Sequence, residues 1–427
     1  MMLWMFVLML LFFAAGVPVA WSMALAATLY MGLATPIPLQ AIVQRLVGGV
    51  DSFPLLAIPF FILAGNLMNT GGVTDRLVAF ARVLVGHITG GLAHVVVVTN
   101  MIMAGMSGSG VADAAGSGAV LIPAMERAGY GIPFAAAIVG AAGTIGPIIP
   151  PSIPFVVFGS MAGVSIGRLL LAGAVPGVLM GIALMAFAAV ISRRRGYPRD
   201  RKAAWREFGR ATLRAIPPLG MPVIILGGII GGIMTPTESA AAGATYALIL
   251  GMFVYHEITW RDLPTIIEES TLGTAAVMII MAAASPFAFM LTLGQAPQKV
   301  MGFFQAWQLS QWQVLLVLNI IVLILGCFME GMAILIMATP VLMPLVLTAA
   351  IDPVHFGVIF VINIMIGTVT PPVGTIMYVV CALGKISISD FAREIWPFLI
   401  ALIFALFVVT YVPFLSLWLP NLLMPVR

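Results

Sequence analysis

Charged residues are scarce in this sequence. Only 8% of the 427 residues are Asp, Glu, Lys or Arg, whereas 62% are hydrophobic, and the mean hydropathy is +1.15. Soluble domains carry about 25% charged residues, so a soluble protein of this length could not cover its surface with so few. The composition excludes an ordinary soluble fold and predicts that the lipid bilayer is the solvent for most of the surface.

Residues that hold metals or form redox centres are also rare. The two cysteines, Cys327 and Cys381, lie in apolar runs, which predicts small buried side chains rather than a redox or metal role. The four histidines are too few and too scattered for a metal centre. We therefore expect no cofactor in this chain.

The common catalytic motifs are missing as well. His256 and Glu257 begin an H-E-x-x-H zinc pattern, but Trp260 takes the place of the second histidine. There is no G-x-x-x-x-G-K-[ST] phosphate loop, and GMSGSG fails the G-x-S-x-G pattern because Ser109 stands at its last glycine. We expect that the chain is not an enzyme and does not hydrolyse ATP. These absences argue against the alternative of a membrane enzyme such as an intramembrane protease.

One segment, Ser192–Arg214, differs in composition from all the others. It holds nine of the 19 Lys and Arg residues, against Asp200 and Glu207. Apolar segments on both sides favour a loop that sets topology over a nucleic-acid-binding run, and the positive-inside rule places the loop in the cytoplasm. This basic linker (192–214) divides the chain into residues 1–191 and 215–427.

The two parts are related by an internal repeat. One constant shift without gaps, which we call the repeat offset, brings seven helix-breaking residues of the first part onto the same residue type in the second. It carries Gly105, Gly110, Pro123, Gly146, Pro150, Pro151 and Gly163 onto Gly326, Gly331, Pro344, Gly367, Pro371, Pro372 and Gly384. Two Pro-Pro pairs with flanking glycines do not coincide by chance at one constant shift. The sequence therefore predicts two repeats.

Charge bias predicts that the repeats are inverted. We expect an all-α integral membrane fold with about ten to twelve spanning helices and two re-entrant helical hairpins. One hairpin, at about 50–70, would open to the cytoplasm and the other, at about 270–300, to the outside; a kinked spanning helix is the alternative for each. Broken helices would follow at 100–165 and 320–385.

Both chain ends are expected outside the cell. No Lys or Arg precedes Arg45, whereas a cleavable signal peptide begins with a basic region, so residues 1–34 are interpreted as a retained membrane helix. With the basic linker inside, both termini then lie on the opposite side.

Candidate binding residues lie in the paired breaks, where proline frees backbone carbonyls and glycine lets the chain unwind. In the first repeat these are Ser52 and Pro54 at the expected hairpin, then Ser107, Gly108, Ser109, Gly110, Asp113, Gly143, Thr144, Gly146, Pro150 and Pro151. In the second they are Ser285 and Pro286, then Gly326, Glu330, Gly367, Thr368, Thr370, Pro371, Pro372, Gly374 and Thr375.

These breaks suit a sodium ion and a carboxylate. Unwound carbonyls and hydroxyls supply the oxygens that a dehydrated sodium ion needs, and half-helix N-termini favour an anion. Asp113 and Glu330 are acids at membrane depth and therefore functional candidates, although Asp113 could instead cap a helix. The glycines could also serve close helix packing. We expect at least two sodium sites, one in each repeat, held mainly by neutral oxygens.

Five segments resemble the large membrane subunit of tripartite ATP-independent periplasmic (TRAP) transporters, and the resemblance covers essentially the whole chain. They are DSFPLLAIPFFILAGNLM at 51–68, GSGVADAAGSGAVLIPAM at 108–125, GTIGPIIPPSIPFVVFG at 143–159, GMAILIMATPVLMP at 331–344 and GTVTPPVGT at 367–375.

The resemblance implies sodium-driven import of a small organic acid across the bacterial inner membrane by an elevator motion. It implies two partners, a small TRAP membrane subunit and a periplasmic substrate-binding protein. The alternative is a stand-alone sodium-carboxylate or sodium-proton carrier. C4-dicarboxylates, sialic acid, sugar acids and keto acids all remain open as substrates.

Overall fold

Every regular element in the described part of the chain is helical. The computed structural model describes the backbone of residues 3–425, and their side chains except at positions 3, 297, 303, 305 and 306. The helices before the basic linker are α1 (Leu3–Ala14), α2 (Val19–Ala34), α3 (Gln40–Gly48), α4 (Ala57–Thr70), α5 (Val73–Val85), α6 (Gly91–Ser107), α7 (Gly110–Arg127), α8 (Ile132–Gly143), α9 (Ile153–Ala162) and α10 (Ile166–Arg195). From the linker onward they are α11 (Trp205–Ile230), α12 (Pro236–Ile249), α13 (Leu263–Leu293), α14 (Ala296–Ala306), α15 (Gln311–Gly326), α16 (Gly331–Thr348), α17 (Pro353–Gly367), α18 (Thr375–Gly384), α19 (Ile388–Tyr411) and α20 (Phe414–Leu423). The all-α prediction is confirmed.

Seven helical segments among the described residues are apolar and long enough to cross a bilayer. They have 18–31 residues, and at 1.5 Å per residue they reach about 27–46 Å, compared with a hydrocarbon core of about 30 Å. These segments are Phe53–Thr70, Ile166–Arg195, Trp205–Ile230, Pro236–Val254, Leu263–Leu293, Gly331–Thr348 and Ile388–Tyr411. The chain is an integral membrane protein.

The repeat offset recurs in the helix boundaries. It carries positions 110 and 127, the bounds of α7, onto 331 and 348, the bounds of α16. It also carries position 85, where α5 ends, onto 306, where α14 ends. The equivalent glycines and prolines of the sequence therefore lie at equivalent points of equivalent helices.

The helices form two packed groups. In the first, which we call the frame (α1–α5 and α11–α14), α4 packs against α12 and α13, α2 against α13, and α11 against α12. In the second, the central unit (α6–α10 and α15–α20), α8 packs against α7, α18 and α19, and α10 packs against α19 and α20. The repeat-related helices α5 and α14 contact both groups, α5 through α6 and α14 through α16, and so connect them.

Each repeat contains one helical hairpin within the central unit. α6 and α7 pack side by side and are joined at tip 1 (Ser107–Gly110). The side chain of Asn100 on α6 donates to Ser117 Oγ on α7 at 3.0 Å. These two residues are equally far from the tip along the chain, so their contact shows that α6 and α7 run antiparallel. α15 and α16 make the equivalent hairpin around tip 2 (Cys327–Glu330).

The hairpin positions expected from the sequence are wrong. Residues 53–70 form one continuous helix that begins with a 3-10 turn, Phe53–Leu56. α13 continues through Ser285 and Pro286 without returning. A proline inside a membrane helix removes one backbone donor, but neighbouring groups can satisfy the freed carbonyl, so Pro286 does not end the helix.

The two hairpins open to opposite faces of the molecule. At the base of the first, the backbone N–H of Gly90 and the hydroxyl of Tyr130 both donate to Pro198 O in the basic linker, each at 3.2 Å. At the base of the second, the Trp312 ring lies 5.7 Å from that of Tyr411, at the far end of α19. Glu394, near the start of α19, pairs with Arg195 of the basic linker, whereas Tyr411 is the last residue of α19. The bases of the two hairpins therefore lie at opposite ends of α19, on opposite faces of the molecule.

Each hairpin is followed by a broken helix. α8 starts on the linker face and α9 ends on the opposite face; between them lies loop 1 (residues 144–152). Loop 2 (residues 368–374) separates α17 from α18 in the same way. With 10–15 residues, each half-helix is too short to cross a bilayer alone. The loops therefore lie at the middle depth of the central unit.

Candidate functional site

Tip 1 is pressed directly against loop 1. A methyl group added at Gly146 would lie 2.5 Å from Asp113 Oδ2 and 3.1 Å from the backbone of Gly110. Gly108 has a φ of +62°, and a side chain there would meet Pro151 O at 2.8 Å. Only glycine allows the two backbones to approach so closely, which explains the glycines in this stretch.

Tip 2 meets loop 2 in the same manner. A methyl group at Gly367, the repeat equivalent of Gly146, would lie 2.7 Å from the Cα atom of Gly326. The N–H of Val373 in loop 2 donates to Cys327 O at 3.1 Å. The paired breaks of each repeat are thus brought together in space.

Asp113 is fully buried beside tip 1. One carboxylate oxygen accepts a hydrogen bond from Ser107 Oγ at 2.5 Å, while Oδ2 has no hydrogen-bond partner among the described residues. None of the ion pairs between described residues involves Asp113. A buried carboxylate without a partner is costly, so Oδ2 is a position that either a cation or a proton would stabilise.

Glu330 is the corresponding acid of tip 2, but it stands at a different repeat position. Its side chain caps α16 by accepting from Ala333 N at 2.9 Å. The repeat offset relates Glu330 to Ser109 and Ala333 to Ala112, and Ser109 Oγ caps α7 by accepting from Ala112 N at 3.4 Å. Each tip therefore has one acid nearby. Glu330 is the capping residue itself in the second repeat, whereas Asp113 lies one helical turn after the capping residue in the first.

Both tips line a cavity of about 230 Å³ between the frame and the central unit. Four helices begin at this cavity, because its lining includes the first residues of α7, α9 and α18 and the capping residue of α16. Glu330 is the one charged side chain among the lining residues. An anion would thus be met by helix N-termini, whose partial positive charge attracts it, rather than by a basic side chain.

A smaller cavity lies behind tip 1. It has a volume of about 10 Å³ and is lined in part by Asn69, Thr74, Ser107 and Asp113. About this much space holds one water-sized species. The polar atoms around it could serve as further oxygen ligands next to Asp113.

Nineteen of the 23 candidate residues from the sequence fall into two sets. Lining the large cavity are Ser107, Gly108, Ser109, Gly110, Glu330, Thr368 and Thr375. Lying in the tips, the loops and the helix ends that border them are Asp113, Gly143, Thr144, Gly146, Pro150, Pro151, Gly326, Gly367, Thr370, Pro371, Pro372 and Gly374.

Four candidates lie elsewhere. Ser52 and Pro54 line a separate cavity, where Ser52 Oγ is 3.3 Å from Ser160 Oγ on α9. Ser285 lies against Gly49, within α13, which also contains Pro286. The expectation that these residues lie at the two hairpins is therefore wrong, since the hairpin tips are Ser107–Gly110 and Cys327–Glu330.

Two frame residues were missed by the sequence interpretation. Asn66 on α4 lines the large cavity and donates to Ser270 Oγ on α13 at 2.9 Å. A polar amide in an apolar membrane helix is the signal that could have revealed Asn66. Nothing in its spacing shows that the partner would be Ser270, 204 residues away.

Comparison with known proteins places the chain among transport proteins. The family described as "Tripartite ATP-independent periplasmic transporter, DctM component" matches residues 6–415. The chain is 41% identical to the sialic acid TRAP transporter large permease SiaM of Vibrio cholerae over 96% of both chains. It is 40% identical to the C4-dicarboxylate TRAP transporter large permease DctM of Pseudomonas aeruginosa over 94% of both.

A third relative is longer. The sialic acid TRAP transporter permease SiaT of Haemophilus influenzae is 40% identical over 96% of this chain, but only 67% of SiaT is covered. These relatives are permeases, which confirms the expectation of a transport protein rather than an enzyme.

Solved structures share the fold. Neisseria gonorrhoeae MtrF superposes with a TM-score of 0.62 at 13% identity, covering 88% of this chain and 83% of its own. The Alcanivorax borkumensis YdaH transporter gives 0.61 at 14% identity, with 88% of both chains covered. At such low identity the likeness shows the fold alone.

Proposed function

Since the chain belongs to the DctM family, the large permease component of TRAP transporters, we propose that it imports a small organic acid driven by the sodium gradient. The observation that carries this proposal is the pair of hairpin tips, each pressed against a broken helix and each carrying an acid without a basic partner among the described residues, fully buried at Asp113 and half-buried at Glu330. Asp113 and Glu330 each bring a negative charge to membrane depth, and a sodium ion at each tip would neutralise it.

The first sodium site uses Asp113 and Ser107 with backbone oxygens of tip 1 and loop 1. The orphan oxygen Oδ2 of Asp113 faces Gly146, where loop carbonyls are free of helix bonds. The second site uses Glu330 with carbonyls of residues 326–327 and of loop 2. Hydroxyls of Thr368 and Thr370 donate to helix carbonyls at 2.6 and 2.7 Å, which leaves their oxygen lone pairs available to a cation.

The substrate carboxylate binds in the large cavity at the helix N-termini. Sodium bound at the tips adds positive charge on the same side, because the tips form part of the cavity wall. Sodium binding therefore favours anion binding, and the reverse follows by linkage. This mutual dependence is the physical basis for coupling.

Transport proceeds by sliding of the central unit against the frame. The cavity is lined by both groups, by Asn66 and Gly273 from the frame and by the tips from the central unit. α5 and α14 connect the groups at opposite faces and would accommodate the movement. Gly65 on α4 allows the frame to approach tip 1 closely, since a methyl group at Gly65 would lie only 3.3 Å from the Cα atom of Ser107.

The proposed complex contains two partners. The match to SiaT leaves a third of that permease without a counterpart in this chain, which supports a separate small membrane subunit. A periplasmic substrate-binding protein delivers the acid. The complex lies in the bacterial inner membrane with the basic linker in the cytoplasm, as the excess of Lys and Arg favours.

Reconstitution tests the function. The chain, its small subunit and its binding protein are placed in proteoliposomes, and uptake of the acid that the binding protein retains is measured without ATP. We expect uptake with an inward sodium gradient and none when choline replaces sodium. Uptake that is unchanged in choline contradicts sodium coupling. Full uptake by this chain alone would instead support a stand-alone carrier.

A further inference from the structure

A second polar cavity lies at the base of the first hairpin, far from the transport site. It has a volume of about 370 Å³ and is walled by α5, by both legs of the hairpin and by the basic linker. Its charged lining residues are Arg82, Arg127 and Asp200, and its apolar wall includes Leu92 and two alanines. Nothing in the transport cycle proposed above uses this cavity.

The charge of the cavity is positive. Asp200 is fully engaged by Arg82, whose Nε and Nη2 donate to its two oxygens at 2.7 and 3.2 Å. This hydrogen bond raises the pKa of Arg82, so the ion pair between Arg82 and Asp200 is stable at physiological pH. Arg127 is exposed and forms none of the ion pairs among the described residues. One guanidinium is thus left for an external anion.

The surroundings reinforce this charge. Of the acids in the basic linker, Asp200 pairs with Arg82 and Glu207 pairs with Arg201. Glu394 is paired with Arg195 in the same way. The linker, all of which the structure describes, therefore has no free carboxylate with which to neutralise Arg127.

The segment that carries Arg82 also exposes apolar side chains. Leu84 is 41% exposed and Ile88 is 38% exposed. A soluble anion makes no favourable contact with exposed apolar side chains, whereas the acyl chains of a lipid pack against them. Basic pockets between membrane helices on the cytoplasmic side are the kind of site that binds acidic lipid headgroups.

We propose that this cavity binds a phosphate-bearing anion through Arg127, and that the anion is the headgroup of an acidic phospholipid. A guanidinium binds a phosphate by two parallel hydrogen bonds. The lipid would hold together α5, the hairpin base and the linker, which are the parts of the chain that join the frame to the central unit on this face.

The test compares two arginine variants of the full chain. Arg127→Gln removes the free guanidinium, and Arg194→Gln is its control, because Arg194 is exposed on the same face and does not line the cavity. Phosphatidylglycerol retained by the purified protein is measured by native mass spectrometry, with phosphatidylcholine as the neutral comparison. Thermal unfolding shows that both variants are folded.

We expect Arg127→Gln to retain about fivefold less phosphatidylglycerol than the parent, with Arg194→Gln and the phosphatidylcholine signal unchanged. A second arm adds millimolar inorganic phosphate. If the parent binds phosphate through Arg127 but retains no phosphatidylglycerol, a soluble phosphate occupies the site and the lipid assignment is overturned. If the two variants lose lipid equally, the loss reflects general surface charge and the whole proposal is overturned.

Discussion

Ser107 Oγ donates a 2.5 Å hydrogen bond to Asp113 across the tip of the first hairpin. The bond fixes one carboxylate oxygen and leaves the other without a partner among the described residues, in a fully buried position. The same arrangement that immobilises the acid therefore prepares it to receive an ion. The consequences can be measured at several positions.

Neutralising Asp113 should remove the first sodium site. In Asp113→Asn we expect the apparent sodium affinity for uptake to fall at least about tenfold, equivalent to about 1.4 kcal/mol, because the charge that offsets sodium dehydration is gone. The measurement is the sodium dependence of uptake in proteoliposomes. Asp75→Asn serves as control, since Asp75 is exposed on α5. Equal sodium dependence in both variants would place the site elsewhere.

Filling the contact between a tip and its loop should be equally damaging in the two repeats. Gly146→Ala places a methyl group 2.5 Å from Asp113 Oδ2 and 3.1 Å from the backbone of Gly110, and Gly367→Ala places one 2.7 Å from the Cα atom of Gly326, the residue before tip 2. Each methyl group forces the two backbones apart. We expect both variants to insert in the membrane and to lose most sodium-driven uptake. Gly227→Ala is the matched control, because a methyl group at Gly227 meets no atom within 4 Å. Normal uptake in either loop variant argues against that site.

Cys327 offers a natural reporter for the second site. Its thiol is half-buried in tip 2, and a Cys381→Ala background leaves it as the one cysteine of the chain. Sodium should tighten the tip and slow maleimide labelling severalfold relative to choline. Adding Glu330→Gln should abolish this protection. Protection that survives the loss of Glu330 would show that the acid is not a sodium ligand.

A cross-link between frame and central unit tests the sliding motion. Ser52 and Ser160 belong to the two different groups, and their hydroxyl oxygens are 3.3 Å apart. Oxidation of the Ser52→Cys/Ser160→Cys pair should stop uptake, and a reductant should restore it, whereas each single variant should be insensitive to the oxidant. Full uptake with the cross-link demonstrably formed would rule out movement between these helices.

Labelling from each side of the membrane tests the orientation. Arg194 lies in the basic linker, and Leu422, which is 62% exposed, lies at the opposite end of the molecule. A cysteine at 194 should react with a membrane-impermeant reagent only from the cytoplasm, and one at 422 only from the periplasm. The reverse pattern would invert the proposed topology.

The sequence was most informative where the repeat supplied two copies of one feature. The repeat offset predicted which glycines and prolines are equivalent, and the structure brings the candidates at tips and loops together. The two acids do not follow the repeat offset. Because Asp113 and Glu330 differ in repeat position, no alignment of the two halves pairs them, and only the folded hairpins show that they occupy similar places.

The hairpins themselves were misplaced because proline was interpreted as a break. Pro286 lies inside a continuous helix, whereas the return of the first hairpin at Gly108 contains no proline at all. The return at tip 1 uses a left-handed residue, Gly108, whose φ is +62°. Packing partners decide whether a proline kinks or ends a membrane helix, and these are not visible in a single sequence. The Asn66–Ser270 contact escaped for the same reason.

If sodium binds at both tips as proposed, the acids there also make the transport cycle sensitive to voltage. With a sodium ion at each tip, Asp113 and Glu330 add no net charge to the moving unit, but without the ions they leave it two negative charges that no described basic side chain pairs. A charge that crosses the whole field gains or loses about 2.3 kcal/mol per 100 mV. In the proposed cycle, a membrane that is negative inside would therefore drive the empty unit outward, and the electrical potential would reset the transporter after each delivery.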